Sequence, residues 1–121
     1  MPVLRSDCNG GSMSTQTETL DRLFATISAR KGADVDSSYT ARLFAKGPTK
    51  IAQKVGEEGV ELALAGALKN RDEIISESAD LFYHMFVLWA DAGVEPAEIY
   101  AKLAEREGLS GLDEKAARSK G

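Results

Sequence analysis

The chain has 121 residues, which suits one domain with a modest hydrophobic core, and its formal net charge of −4 argues against a non-specific nucleic-acid binder. The single cysteine, Cys8, excludes an intramolecular disulfide and a multi-cysteine zinc site. No apolar run approaches the roughly 18 residues of a membrane span, and the N-terminus lacks the apolar segment of a secretory signal, so we expect a cytoplasmic protein with no membrane partner.

The segment over residues 1–16 is mostly polar and has no apolar period, so we expect a disordered N-terminal arm. One folded domain is predicted over residues 17–108, followed by a charged, frayed tail over residues 109–121. The alternating pattern of a β-strand is absent. The chain is therefore predicted to be all-α, a bundle of four to five helices.

The first predicted helix starts at Thr17 or Thr19, because the apolar residues that follow recur at the i, i+3, i+4, i+7 spacing of one helix face. Ser38 can cap a short second helix over residues 39–46, and a Gly-Pro pair then ends it.

Two long helices are predicted next, over about residues 49–68 and 72–92. The connection between them, near Asn70, is short, so we expect them to pack antiparallel. A fifth helix opens at Pro96, because proline is favoured in the first turn of a helix.

Carboxylates on the two long helices carry the chemical signal of the sequence. Residues three or four apart share a helix face, so Glu58 and Glu61 lie side by side with Glu57 at their edge, as do Glu77 and Asp80 on the next helix. Converging carboxylates repel one another unless a cation neutralises them or some take up protons. Because oxygen-only ligands favour hard cations, the pattern indicates Mg²⁺.

Lys50 and Lys54 lie on the same face as the acids of the third helix. They can contact phosphate groups, which would indicate phosphoric-anhydride chemistry at a metal site, or they can be salt-bridge partners of the acids. His84, one turn after Asp80, is either a functional group or a satisfied partner in the core. It is the only histidine, whereas a di-iron bundle needs a Glu-x-x-His motif on each of two helices, so we discount iron.

Two strings make the sequence recognisable: SYTARLFAKGPTKIAQKVGEEGVELALA over residues 38–65 and ESADLFYHMFVL over residues 77–88. They resemble the phosphoribosyl-ATP pyrophosphohydrolases, a family of the all-α, MazG-like nucleotide pyrophosphohydrolases. The GEE-x-x-E and E-x-x-D pair is typical of the superfamily, whereas SYT…L…KG and DL-x-YH point to this family. The resemblance covers roughly residues 20–107.

The resemblance implies Mg²⁺-dependent hydrolysis of phosphoribosyl-ATP to phosphoribosyl-AMP and pyrophosphate, the second step of histidine biosynthesis. By position it assigns the metal ligands to Glu58, Glu61, Glu77 and Asp80, and catalytic roles to Glu57, as ligand or water-positioning base, and Glu58. Candidate contacts for the phosphates and the phosphoribosyl group are Ser38, Tyr39, Lys46, Lys50, Lys54 and His84.

Two alternatives stay open on the sequence alone. One keeps the chemistry and changes the substrate, giving a house-cleaning nucleoside triphosphate pyrophosphatase. The other is a metal-stabilised helical interaction module without catalysis.

The fourth helix has apolar residues on two flanks, and Phe82, Phe86 and Trp89 occupy the second flank. A patch of this size is rarely left exposed on a monomer. We therefore expect a homodimer, or a higher homo-oligomer, in which the long helices of two chains pack together. Relatives in the superfamily assemble in this way, so the resemblance implies the same.

Overall fold

The computed structural model describes residues 11–107. Within that range the chain forms five α-helices and no strand, so the all-α prediction is confirmed. The helices are α1 (Gly11–Ala29), α2 (Tyr39–Lys46), α3 (Pro48–Ala67), α4 (Arg71–Ala92) and α5 (Pro96–Arg106). None of these helices is long and apolar enough to cross a membrane.

The first helix begins at Gly11, earlier than the predicted start at Thr17 or Thr19. Residues 11–16, which were predicted to belong to a disordered arm, are therefore helical. An established helix extends at one hydrogen bond per added residue and needs no apolar face to do so, which is why periodicity missed this turn. The rest of the arm and the tail at 109–121 lie outside the described residues, and the domain limits stay predictions.

Local signals in the sequence set the other helix ends. Ser38 is extended, and its hydroxyl oxygen accepts a hydrogen bond from a backbone amide of the first turn of α2. Gly47, at φ 94°, separates α2 from α3. Asn70 caps α4 through its side-chain oxygen, and Gly93, at φ 76°, ends α4 in the left-handed conformation that glycine adopts without steric cost.

The two long helices form an antiparallel hairpin, which is the most extensive helix contact in the described range. Helices α1 and α2 pack across this hairpin and bury one continuous core. The buried core side chains are Phe24, Ile27, Leu43, Phe44, Ile51, Phe86 and Val87. The hairpin is the element that brings the two acidic helix faces together.

The second apolar flank of α4 is covered more completely than the sequence predicted. Phe86 is only 2% exposed, because its ring packs edge-on against Phe24 of α1 at a centroid distance of 6.0 Å. Trp89 is partly buried against the same core, whereas Phe82 is 49% exposed. The large apolar side chains exposed on α3 and α4 are Val60, Leu64, Ile75 and Phe82, and Leu68 at the C-cap of α3 adds one more. We call them the outer apolar faces of α3 and α4.

Candidate metal and substrate site

Three carboxylates from the α3–α4 hairpin come together. One oxygen each of Glu58, Glu77 and Asp80 lies within 4.8 Å of the other two. Glu58 belongs to α3, whereas Glu77 and Asp80 lie one turn apart on α4, so only the packing of the two helices creates the group. Glu58 is buried, Glu77 is half-buried and Asp80 is exposed, which leaves one side of this carboxylate triplet open to solvent.

The carboxylate of Glu77 lies where a negative charge is unfavourable. Its Oε1 atom is buried and has no hydrogen-bond partner among the described residues. Burial raises the pKa of the Glu77 carboxyl, and the negative charges of Glu61, Asp80 and Glu58 raise it further. A bound cation would remove both penalties, because it supplies the missing partner and neutralises the repulsion.

The donor set fits Mg²⁺. Carboxylate oxygens are hard ligands, and Mg²⁺ is usually held by one or two carboxylates together with waters and substrate phosphates, which need the open side of the site. Glu58, Glu77 and Asp80 are the residues that would hold the ion. Glu61 is exposed and lies outside the triplet, although its charge acts on Glu77, so its role as a ligand stays a prediction.

Lys54 and Gln53 hold Glu57 on its own helix. The Lys54 Nζ atom lies 3.3 Å from Glu57 Oε1 and 3.7 Å from Glu58 Oε2, and the Gln53 amide donates to Glu57 Oε2 at 2.8 Å. These contacts keep Glu57 out of the triplet. The hydrogen bonds from Gln53 and Lys54 lower the pKa of Glu57. The hydrogen bond between Lys54 and Glu57 in turn raises the pKa of Lys54.

His84 links α2 to the acidic helix. Its Nδ1–H donates to the backbone carbonyl of Asp80 at 2.8 Å, because a carbonyl can only accept. The Nε2 atom forms a hydrogen bond with the Tyr39 hydroxyl at 3.1 Å. Both ring nitrogens are thus satisfied and the ring is only 8% exposed, so in this chain His84 fixes Tyr39 beside the acids.

Three further predicted substrate contacts, Lys50, Lys46 and Ser38, form no described contact with the triplet. Lys50 is half-buried on α3, and its charge contributes to the lowered pKa of Glu57. Lys46 is exposed in the last turn of α2, and the Ser38 oxygen caps that helix. Gln53 was not among the predicted site residues, although its i, i+4 spacing to Glu57 is the signal that would have found it.

Known proteins are similar to this chain over most of its length. The family model of phosphoribosyl-ATP pyrophosphohydrolase matches residues 20–107, which include both acidic helices. A protein of Azospirillum brasilense named phosphoribosyl-ATP pyrophosphatase is 61% identical over 99 residues, covering 82% of this chain and 89% of the relative. Proteins of the same name from Paramagnetospirillum magneticum and Parvibaculum lavamentivorans are 54% and 55% identical, covering 89% and 88% of this chain and 99% and 97% of the relatives.

The family match and the relatives span the SYT…KG, GEE-x-x-E and E-x-x-D motifs, so the resemblance seen in the sequence is confirmed. The chain belongs to the phosphoribosyl-ATP pyrophosphohydrolase family of hydrolases.

Proposed function

We propose that this protein hydrolyses phosphoribosyl-ATP to phosphoribosyl-AMP and pyrophosphate in a Mg²⁺-dependent reaction, the second step of histidine biosynthesis. The observation that carries the proposal is the carboxylate triplet, in which a buried Glu77 oxygen has no partner among the described residues. The proposal is also supported by the relatives: proteins more than 50% identical to this chain are named phosphoribosyl-ATP pyrophosphatase.

Glu58, Glu77 and Asp80 would hold Mg²⁺, with Glu61 as the further ligand that the family motif implies. When bound, the ion supplies Lewis acidity at the phosphoric anhydride and lowers the pKa of water. The open side of the triplet, next to exposed Asp80, is where the triphosphate would approach.

The chain's own side chains then bind and orient the substrate. Lys54 is held beside Glu58 and is cationic, so it can contact a phosphate oxygen; Lys50 and Lys46 would extend this positive edge toward α2. A partly exposed ion pair contributes little stability, so exchanging the Lys54–Glu57 contact for a phosphate costs little.

The family motif implies that Glu57 orients the attacking water, and exchange of its Lys54 contact for a phosphate would leave a Glu57 oxygen free to do so. Gln53 and Lys54 lower its pKa, so it is an anion at neutral pH and can accept a hydrogen bond from water. Attack of that water on phosphorus breaks one anhydride P–O bond, and the departing oxygen leaves on pyrophosphate or on phosphoribosyl-AMP according to which phosphorus is attacked. Tyr39, fixed by His84, would contact the phosphoribosyl side of the substrate.

The proposal includes a homodimer, or a higher homo-oligomer, in the cytoplasm. The outer apolar face of α3 presents Val60, Leu64 and Leu68 at i, i+4 and i+8, and that of α4 presents Ile75 and Phe82 at i and i+7. Each set therefore lies on one side of its helix. Covering these faces with the same hairpin of a second chain would remove them from water.

The direct test is pyrophosphate release by the purified protein with Mg²⁺, measured for phosphoribosyl-ATP and for ATP. We expect far faster release from phosphoribosyl-ATP and complete loss on addition of EDTA. Equal turnover of both substrates would instead support a house-cleaning nucleoside triphosphate pyrophosphatase. No turnover of either, with Mg²⁺ still raising the melting temperature, would support a metal-stabilised interaction module.

A further inference from the structure

A cavity of about 270 Å³ lies beside the acidic site, between the end of α1, the start of α2 and α4. Arg30, Thr40 and Tyr83 contribute polar groups to its wall, together with Ser38 and Tyr39. Complete ligand sites range from about 300 to about 1,000 Å³, so this cavity suits one part of a larger substrate. We call it the Arg30 cavity.

Tyr39 connects the Arg30 cavity to the carboxylate triplet. Its side chain lines the cavity, while its hydroxyl is hydrogen-bonded to His84, which is hydrogen-bonded to the Asp80 backbone. A substrate bound at the triplet would therefore reach the cavity by passing Tyr39.

The charge of the Arg30 cavity is positive. Arg30 is the one charged residue among the described residues that line it, and no carboxylate contributes to the wall. The Arg30 guanidinium forms no ion pair with any residue in the described range. Five N–H donors on this group are thus available to an anion.

Neutral hydroxyl groups complete the wall. The Tyr83 and Thr40 hydroxyls are hydrogen-bonded to each other, which fixes both side chains against α2. Burial raises the pKa of Tyr83, although the nearby Arg30 guanidinium acts against this rise, so Tyr83 is a neutral hydroxyl at physiological pH. A cation flanked by hydroxyls in a partly enclosed cavity is suited to a small oxyanion.

We propose that the Arg30 cavity binds a phosphate monoester, namely the terminal 5-phosphate of the phosphoribosyl group, and that Arg30 determines specificity for it. This inference rests on the proposed function. The planar guanidinium can bind two phosphate oxygens at once, which a lysine cannot do. ATP lacks the phosphoribosyl group and its 5-phosphate, so the subsite would distinguish phosphoribosyl-ATP from ordinary nucleoside triphosphates.

Ribose 5-phosphate tests the subsite without turnover. It would be titrated by calorimetry into the metal-free wild-type protein and into Arg30→Ala, with Arg42→Ala as the matched control. Arg42 is exposed on α2 and does not line the cavity, so its substitution makes the same change in charge elsewhere. We expect a Kd about 10- to 100-fold higher for Arg30→Ala, from the lost charged hydrogen bonds, and an unchanged Kd for Arg42→Ala.

Four results of this titration would overturn the inference. The first three are equal Kd values for Arg30→Ala and the wild type, an equal loss in Arg42→Ala, and binding of unphosphorylated ribose as tight as that of ribose 5-phosphate. The fourth is no detectable binding to the wild type. Melting curves of both variants verify that they are folded.

Steady-state kinetics with Mg²⁺ gives a second readout. Arg30→Ala should raise KM for phosphoribosyl-ATP while any residual turnover of ATP stays unchanged, and Arg30→Lys should recover only part of the loss. If the wild type is active and Arg30→Ala matches it, the subsite is wrong and the proposed function stands. If the wild type does not hydrolyse phosphoribosyl-ATP, the proposed function fails, and the ribose 5-phosphate titration still decides the subsite.

Discussion

At the scale of single residues, the site holds negative charge that the described part of the chain neutralises only in part. Lys54 reaches Glu58 at 3.7 Å, whereas neither Glu77 nor Asp80 forms an ion pair with a described residue. Such repulsion costs stability in the metal-free protein and favours binding of a cation. Neutralising one of these acids should therefore lower activity but should not lower the stability of the metal-free protein.

Replacing Glu77 by glutamine, or Asp80 by asparagine, should reduce activity by at least about 100-fold, more than the typical loss on removing an outer partner of a metal ligand. The metal-free melting temperature should stay the same or rise, because like-charge repulsion is relieved. Activity assays and melting curves in EDTA check both parts. Glu73→Gln is the matched control, since Glu73 is an exposed acid one turn earlier on α4. A lower melting temperature without metal would show that the acids are structural salt-bridge partners.

The raised pKa of Glu77 predicts a pH dependence for the metal-free protein. An acid whose pKa is higher in the folded than in the unfolded state binds more protons when folded, so folding is favoured below the unfolded pKa and loses that contribution as pH rises through the folded pKa. Lowering the pH from about 7 to about 5 in EDTA should therefore raise the melting temperature of the wild type relative to Glu77→Gln. If the difference in melting temperature between the wild type and Glu77→Gln does not change with pH, this prediction is wrong.

At the scale of elements, the α3–α4 hairpin positions the site, and its turn depends on one side chain. Asn70 accepts a hydrogen bond from the Glu73 amide at 3.2 Å and so starts α4 at a defined residue. Glu77, which belongs to the carboxylate triplet, follows Asn70 by two helical turns.

Removing this cap should weaken the hairpin. Asn70→Ala should lower the free energy of unfolding by about 1 kcal/mol, the usual cost of losing an N-cap, whereas Asn70→Asp should retain the wild-type value because aspartate caps equally well. Urea denaturation of the two variants measures the difference. Equal stability of Asn70→Ala and the wild type would mean that packing alone holds the start of α4.

At the scale of the whole molecule, the described chain covers its core on one side of the hairpin only. Helices α1 and α2 bury Phe86 and Val87, while the outer apolar faces of α3 and α4 stay exposed, with Val60 at 61% and Leu64 at 60%. Large apolar side chains that share a helix face and remain exposed are typical of an interaction surface. A second copy of the hairpin is the occupant that the proposed dimer supplies.

The dimer predicts a mass near that of two chains in light scattering and a melting temperature that rises with protein concentration. Ile75→Lys should shift the mass toward one chain, because it places a charge in the interface. Leu103→Lys is the control, since Leu103 is exposed to a similar degree, 58% against 57% for Ile75, but lies on α5. A single-chain mass for the wild type, or equal effects of the two substitutions, would contradict this packing.

The sequence by itself determined the helical class, the order of the five helices and the family. These features depend on local properties: apolar spacing within one segment, capping residues such as Ser38 and Asn70, and breaks at Gly47 and Gly93. The acidic pairs were visible for the same reason, because spacing along a single helix is enough to place two carboxylates on one face. The early start of α1 at Gly11 was missed, since that turn has no apolar pattern.

Only the tertiary structure decided which side chains meet between helices. Spacing within a helix does not set how two helices rotate and slide against each other, and that arrangement joins Glu58 to Glu77 and Asp80 while Lys54 and Gln53 hold Glu57 aside. The same packing gave His84 the Tyr39 hydroxyl of α2 as a partner, whereas its other partner, the Asp80 carbonyl, lies on its own helix. It also brought Arg30, at the end of α1, to the wall of the cavity that Tyr39 lines, and the sequence has no periodic signal for that placement.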